Sequence, residues 1–328
     1  MPDLGETQLL HHGGRPGGWG SLGWWDAAPD TLDTPDTPDT PDTPDRRNTP
    51  NAPYAPDGPI DYHSACTALA RHVACAAGLS AGARVLSVAC GDGEELRLWA
   101  QCFGAGTVVG VELDAVRVQR ARAATAALAG VRVLQGSGDA LLALGLPDAS
   151  FDHVLCVDAA YHLQPRTAFL QAAFKLLRPG GTLAYNDLLI DGSGSRWRHI
   201  ALALGARLCG LPAGSLCDGP AQRQRLHQIG FVELQLQRVD DAVLGGFTRF
   251  VAQQGRRLPG GPWQAGWRRV ALTAMLIPPC RAAGLGYAML SARKPLATGA
   301  AATAAASASA TANAERTALS SSGTPSSA

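Results

Sequence analysis

The sequence predicts an α/β domain on a doubly wound, mostly parallel, seven-stranded sheet. Three observations carry that expectation. Short apolar runs rich in Val and Leu recur between Arg84 and Arg293. Segments with helical spacing separate the first five of them. The first run ends in a glycine turn, Cys90-Gly91-Asp92-Gly93, that leads directly into a helix. Parallel strands buried on both faces read as continuous apolar runs, and parallel pairing needs helix-length crossovers.

Taken in order, Arg84–Cys90 is the first strand and Glu94–Phe103 the first crossover helix, with Leu96, Leu98, Trp99 and Phe103 at helical spacing. Thr107–Leu113 is a strand, Ala115–Leu128 a helix, Val131–Gln135 and Phe151–Val157 strands. Arg166–Leu177 is a helix closed by Pro179-Gly180-Gly181, and Thr182–Ile190 is the fifth strand. Beyond it the regularity loosens. Trp197–Cys209 and Gln222–Ile229 read as helices, and Phe231–Val239 and Gly284–Arg293 as the last two strands. Stretches at about 191–220 and 240–283 are expected to be helical lid insertions, because ligands of open parallel sheets lie beyond the carboxyl ends of the strands.

The ends differ in composition. Residues 1–56 contain Thr-Pro-Asp repeats from Thr34 to Asp45, which block helix and bury nothing, so this segment is expected to be disordered. Residues 296–328 form a low-complexity Ala/Ser/Thr tail, also expected to be disordered. That leaves one domain over 57–295.

Composition excludes several function classes. With 46% apolar residues the chain can bury a sizeable core. Its net charge of +1 does not point to nucleic acid or an anionic membrane surface as the main partner. Arg117, Arg120 and Arg122 read as one solvated helix face. The eight cysteines form no Cys-x-x-Cys pair and no zinc spacing, which points to a reducing, cytoplasmic setting (organellar import stays open) and to no metal. Met1–Leu10 lacks the apolar core of a signal peptide, and the longest apolar run, Val270–Ile277, is far short of the ~20 residues a membrane span requires.

The chemistry concentrates at the strand ends. Gly91 and Gly93 let the backbone turn and approach a ligand closely. Glu112 ends the second strand 19 residues after Gly93, near the ~20-residue spacing at which an acid binds ribose in nucleotide-binding α/β folds. Asp114 suits a helix N-cap. Gly138-Asp139-Ala140 follows the third strand, and Asp158-Ala159-Ala160-Tyr161-His162 the fourth.

In these motifs the chain resembles class I S-adenosylmethionine (SAM)-dependent methyltransferases of the small-molecule, quinone and natural-product type. Val85-Leu86-Ser87-Val88-Ala89-Cys90-Gly91-Asp92-Gly93 is similar to the family's VLDVGCGxG, Phe151-Asp152-His153-Val154 to its fourth motif, and Arg178-Pro179-Gly180-Gly181 to its LxPGG turn. Two departures stand out: Ser87 replaces an acid that indirectly contacts the methionine amine, and Ala89 replaces the first glycine. The resemblance covers residues 60–190 well and 191–295 loosely. It implies a Rossmann-like fold and SAM contacts from Ser87, Ala89, Cys90, Gly91, Gly93, Glu112, Leu113, Asp139, Ala140, Asp158 and Tyr161, with Glu112 on the ribose and Asp139 on the adenine amine.

The expected activity is methyl transfer to an oxygen, carbon or nitrogen of a small apolar or aromatic acceptor. His162 is the candidate base, with an ordinary pKa of about 6.5. Asp187 is a second catalytic candidate. Trp197, Phe247, Phe250, Trp263 and Trp267 are candidates for an acceptor pocket, though each is individually better suited to the core. Ser87 and Ala89 favour the alternative, a non-catalytic binding or scaffold protein of the same fold. A nicotinamide dehydrogenase is disfavoured because Glu94 and Glu95 would repel a pyrophosphate. An RNA methyltransferase is disfavoured because no Asn-Pro-Pro-Tyr-type motif follows the fourth strand.

Overall fold

β1 (Arg84–Val88) lies in the middle of the sheet, and Val85, Leu86, Ser87 and Val88 are all buried. Parallel neighbours flank it: β2 (Thr107–Glu112) pairs Val108 with Val85, and β4 (Phe151–Cys156) pairs His153 with Val85. β3 (Val131–Gln135) adds to β2, and β5 (Leu177–Ile190) to β4, also in parallel. β8 (Leu285–Arg293) runs antiparallel between β5 and β7 (Val232–Arg238). The order is β3-β2-β1-β4-β5-β8-β7, with the two-residue β6 (Cys217–Asp218) beside β5. The seven expected strands are present, and the reversed β8 makes the sheet mostly rather than wholly parallel.

This computed structural model describes residues 19–26, 60–192, 195–212, 214–257 and 267–296. The Thr-Pro-Asp repeats, Trp263 and the tail beyond Leu296 lie outside them, and the main unit ends at Lys294.

Helices cover both faces. α1 (Tyr62–Ala77) is N-capped by Asp61, which accepts from Ser64 N at 2.7 Å. α2 (Glu94–Gln101) follows the glycine turn, and α3 (Ala115–Thr125) is N-capped by Asp114, which accepts from Val116 N and Arg117 N. α4 (Arg166–Leu176) leads into β5, and α6 (Gly219–Ile229) into β7. Two stretches depart from the alternation. α5 (Arg196–Leu208) stands between β5 and β6. A π turn (Asp241–Gly245), α7 (Gly246–Arg257) and α8 (Arg268–Ala282) stand between β7 and β8.

The expectation that residues 1–56 stay out of the fold is corrected at residues 19–26. Trp19, Ser21, Leu22 and Trp24 are buried. The strap is held by backbone pairing, Trp24 N to Ala65 O at 2.8 Å and Trp25 N to Ala242 O at 2.9 Å, and by Tyr62 OH donating to Ser21 O at 2.6 Å. Trp24 stacks on His72 with ring centroids 3.8 Å apart, and Trp25 on Phe250 at 4.3 Å. Three tryptophans in seven residues supply apolar area that averaging with the Pro/Asp repeats concealed. Trp24→Ala is expected to cost about 3 kcal/mol, read as a fall in Tm of roughly 6–12 °C in a thermal melt. An unchanged Tm would show that the strap adds nothing to the core.

Candidate active site

The carboxyl ends of β1, β2 and β4 and the loop after β3 surround a cleft of about 900 Å³. The glycine turn forms one wall through Ala89, Cys90 and Gly91, and Leu113, exposed at 66%, forms another. Gly93 lies outside this lining. Its φ is 93°, and a Cβ there would come 3.0 Å from Ala121 Cα, so it lets α2 start and pack against α3 rather than touch a ligand. Ala89 carries more than an added methyl group. It sits in the left-handed region at φ 60°, where a side chain is strained. Ala140 is exposed and also outside the lining.

Acids dominate the cleft. Glu112 is buried, and its carboxylate accepts from Gly91 N at 2.9 Å and Asp114 N at 3.0 Å, which fixes it across from the glycine turn. Asp139 lines the cleft from the loop after β3. Ser87 does not reach it. Ser87 Oγ donates to Glu95 Oε1 and accepts from Trp99 Nε1 at 3.0 Å beneath the floor. The acid of this turn that lines the cleft is therefore Glu95, in the first turn of α2. Burial pushes it up to about 8, against the pull of the Ser87 hydrogen bond. The expectation that Ser87 contacts the ligand is corrected: it positions Glu95. Glu95 was legible only as a charge at a helix start, since its partner Ser87 lies on β1, eight residues earlier.

The end of β4 is tied down by Asp158. Its Oδ1 accepts from Tyr161 OH at 2.9 Å and from Tyr287 OH, and its Oδ2 from Leu22 N of the strap. Burial pushes its carboxyl up to about 6, opposed by these donors. It lines the cleft with both oxygens already engaged. Asp158 N donates to Asn186 Oδ1 at 3.3 Å. Asn186 is fully buried and Leu188 lines a second cavity, so β5 sends its even-numbered residues toward the site.

That alternation turns Asp187 away. It lies outside the cleft lining, pairs with Arg166 at 3.0 Å and accepts from Leu188 N. Burial pushes its carboxyl up to about 7, with Arg166 pulling down. The expectation that it is catalytic is corrected, and the period of two in a strand is the reason. His162 does line the cleft, with its ring 4.5 Å from that of Tyr161. Burial lowers it to about 4, so it is neutral at pH 7 and a weaker base than the expected 6.5.

Tyr161 also walls the second cavity, a small apolar one of about 50 Å³ among the strap, β5, α5 and α8. Leu22, Leu188, Leu202, Leu276 and Ile277 line it, with hardly a polar atom. Among the described residues, none of the aromatics expected to floor an acceptor pocket lines it. Phe247, Phe250 and Trp267 are core residues, and Trp197 is exposed.

This geometry has known counterparts. Residues 85–181 match the family model described as a methyltransferase domain. Over that stretch the chain is similar to methyltransferase domains. The erythromycin 3''-O-methyltransferase of Saccharopolyspora erythraea is 30% identical over 181 residues, 54% of this chain and 59% of that relative. The 27-O-demethylrifamycin SV methyltransferase of Amycolatopsis mediterranei is 36% identical over 113 residues, 34% of this chain and 41% of that relative. The chain thus spans about half the length of the curated relatives it matches. The crystal structure of the cyclase SpnF superposes with a TM-score of 0.59 at 21% identity, over 89% of this chain and 93% of that one, a likeness of fold.

Asp187 is expected to matter for stability. Asp187→Ala leaves Arg166 buried and unpaired and is expected to cost about 3–5 kcal/mol in urea unfolding, with ligand affinity of the folded fraction unchanged. Lost turnover at unaltered stability would return Asp187 to the catalytic set.

Proposed function

We propose that this chain transfers a methyl group from SAM to an oxygen of a small, largely apolar acceptor. The observation that carries the reading is the charge of the cleft. Five carboxyl groups line it (Glu95, Glu112, Asp114, Asp139 and Asp158) against two guanidinium groups, Arg117 and Arg269. Such a lining suits a ligand bearing a sulfonium and an ammonium and repels a phosphorylated nucleotide. SAM, when bound, supplies the electrophilic methyl group. Glu112 would hold the ribose hydroxyls, Asp139 the adenine amine and Glu95 the methionine ammonium.

The chain's own part is alignment and exclusion of water, the main protein contribution to an in-line displacement. Tyr161 is the wall shared by the cofactor cleft and the apolar cavity, so the reacting centre is placed beside it. The apolar cavity takes an apolar arm of the acceptor. As the O–CH3 bond forms and the S–CH3 bond breaks, the hydroxyl proton must leave. A histidine as weak as His162 accepts it only from a hydroxyl that ionises readily, which favours a phenolic oxygen, while a carboxylate would arrive without a proton to lose. The O-methyl activities in the names of the erythromycin and rifamycin relatives support oxygen as the acceptor atom.

Calorimetry tests the cofactor. SAM is expected to bind and NAD is not, and heat from NAD alone would sink the reading. With Glu95 near 8, the free protein holds that proton at pH 7. An ammonium beside it drives the proton off, so binding heats should differ between buffers of unlike ionisation enthalpy. Tight binding with no proton release would remove Glu95 from the ammonium contact. Glu112→Ala is expected to cost about 1.5–3 kcal/mol of SAM affinity, and an unchanged Kd would remove it from the ribose site. Labelled SAM with a metabolite extract tests turnover, and SAM binding without any methylated product would support the non-catalytic alternative.

A further inference from the structure

α5 is apolar on two sides. Leu202, Gly205, Ala206 and Cys209 turn toward the small cavity. On the far side Trp197 is 78% exposed, Ile200 47%, Leu204 57% and Leu208 53%. At 3.6 residues per turn these four fall within about 80° of arc, so they form one stripe along the helix. α8 repeats the arrangement. Thr273, Leu276, Ile277 and Cys280 face the same cavity, while Leu272 and Met275 are exposed. The two helices touch, with Arg198 Nη2 donating to Ala282 O at 3.0 Å. They share one cavity on their inner sides, and each leaves an apolar stripe exposed beside the other helix. Contiguous exposed apolar surface of this kind marks a binding face.

Charge identifies the occupant. α5, α7 and α8 each carry three arginines and not one Asp or Glu, within a chain whose net charge is only +1. Arg196 and Arg207 flank the α5 stripe, and Arg268 lies on the exposed face of α8; none has an ion-pair partner among the described residues. A second copy of the chain would set these cations against their own kind. Apart from the Trp197 indole N–H, the stripes offer no side-chain hydrogen-bonding group, although protein interfaces need roughly one hydrogen bond per 100–200 Å². A lipid surface needs none. A helix with Trp and Leu on one face and arginines at its margins is the pattern that lies in a membrane interface.

We propose that the outer faces of α5 and α8 dock on an anionic lipid surface, which sets the apolar cavity next to the lipid phase. The test is co-sedimentation of the full chain with vesicles of phosphatidylcholine, alone or with a third phosphatidylglycerol. Binding is expected to the anionic vesicles, weaker to the neutral ones, and to fall as salt rises. Trp197→Ser with Leu204→Gln should lower the partition coefficient about tenfold or more. Arg196→Gln and Arg207→Gln should each lower it about fivefold. All four sites lie outside the proposed methyltransferase site, so melting curves should stay unchanged; if the apolar double variant fails to fold, the arginine variants carry the test. No binding to anionic vesicles, equal binding to neutral ones, or unaltered binding of the variants overturns the proposal. So does a dimer in solution that the apolar double variant disrupts, because the face would then belong to a second copy.

Discussion

The Asp158 carboxylate joins stretches of chain that are far apart in sequence. It accepts from Leu22 N in the strap, Tyr161 OH after β4 and Tyr287 OH on β8, while its own N–H reaches Asn186 on β5. A buried carboxylate is costly without donors, and here three of them compensate. The residue is also held at φ 51°, a left-handed conformation that Asp tolerates better than most. The donors and the strain explain each other: only in that conformation do the strap and the two tyrosines converge on one side chain. The strap, Tyr161 between the two cavities and Tyr287 on β8 are therefore tied to one group.

The glycine turn is organised in the same indirect way. In the motif it resembles, an acid stands within the strand. Here Ser87 occupies that place and the acid stands eight residues later, on α2. The hydroxyl is small enough to be buried on the central strand and still bond Glu95, and Trp99 Nε1 supplies the second contact that keeps the hydroxyl oriented. The cleft thus keeps a carboxyl near the turn while the strand interior stays free of charge. The carboxyl group has thus been moved from the strand to the helix rather than lost.

How much of this was legible in the sequence follows from what each signal depends on. Strands and crossover helices came from local periodicity, and all seven strands are where that periodicity placed them. Glu112 and Asp139 were legible because their distance from the glycine turn is fixed by the lengths of one strand and one helix. Asp187 was misread for want of strand phase: the Asn186-Asp187 pair offers two polar side chains, and only the register of β5 against β8 decides that Asn186 turns inward. The strap was missed because composition is an average, and a short Trp-rich stretch beside a Pro/Asp repeat vanishes in it. The same averaging hid the arginines of α5, α7 and α8 inside a balanced net charge.

The titrating groups of the cleft share one physical cause. Burial raises Glu95 to about 8 and Asp158 to about 6, and lowers His162 to about 4. Each shift favours the uncharged form, the signature of a site poor in water. The consequences for stability run in opposite directions. His162 binds fewer protons folded than unfolded between about 6.5 and 4, so its contribution falls as pH drops through that window. Glu95 and Asp158 hold protons in the fold that the unfolded chain has already lost, so their contribution is complete in acid and is lost as pH rises toward 6 and then 8. Near neutrality Glu95 still holds its proton, and its contribution is lost only as pH rises through about 8.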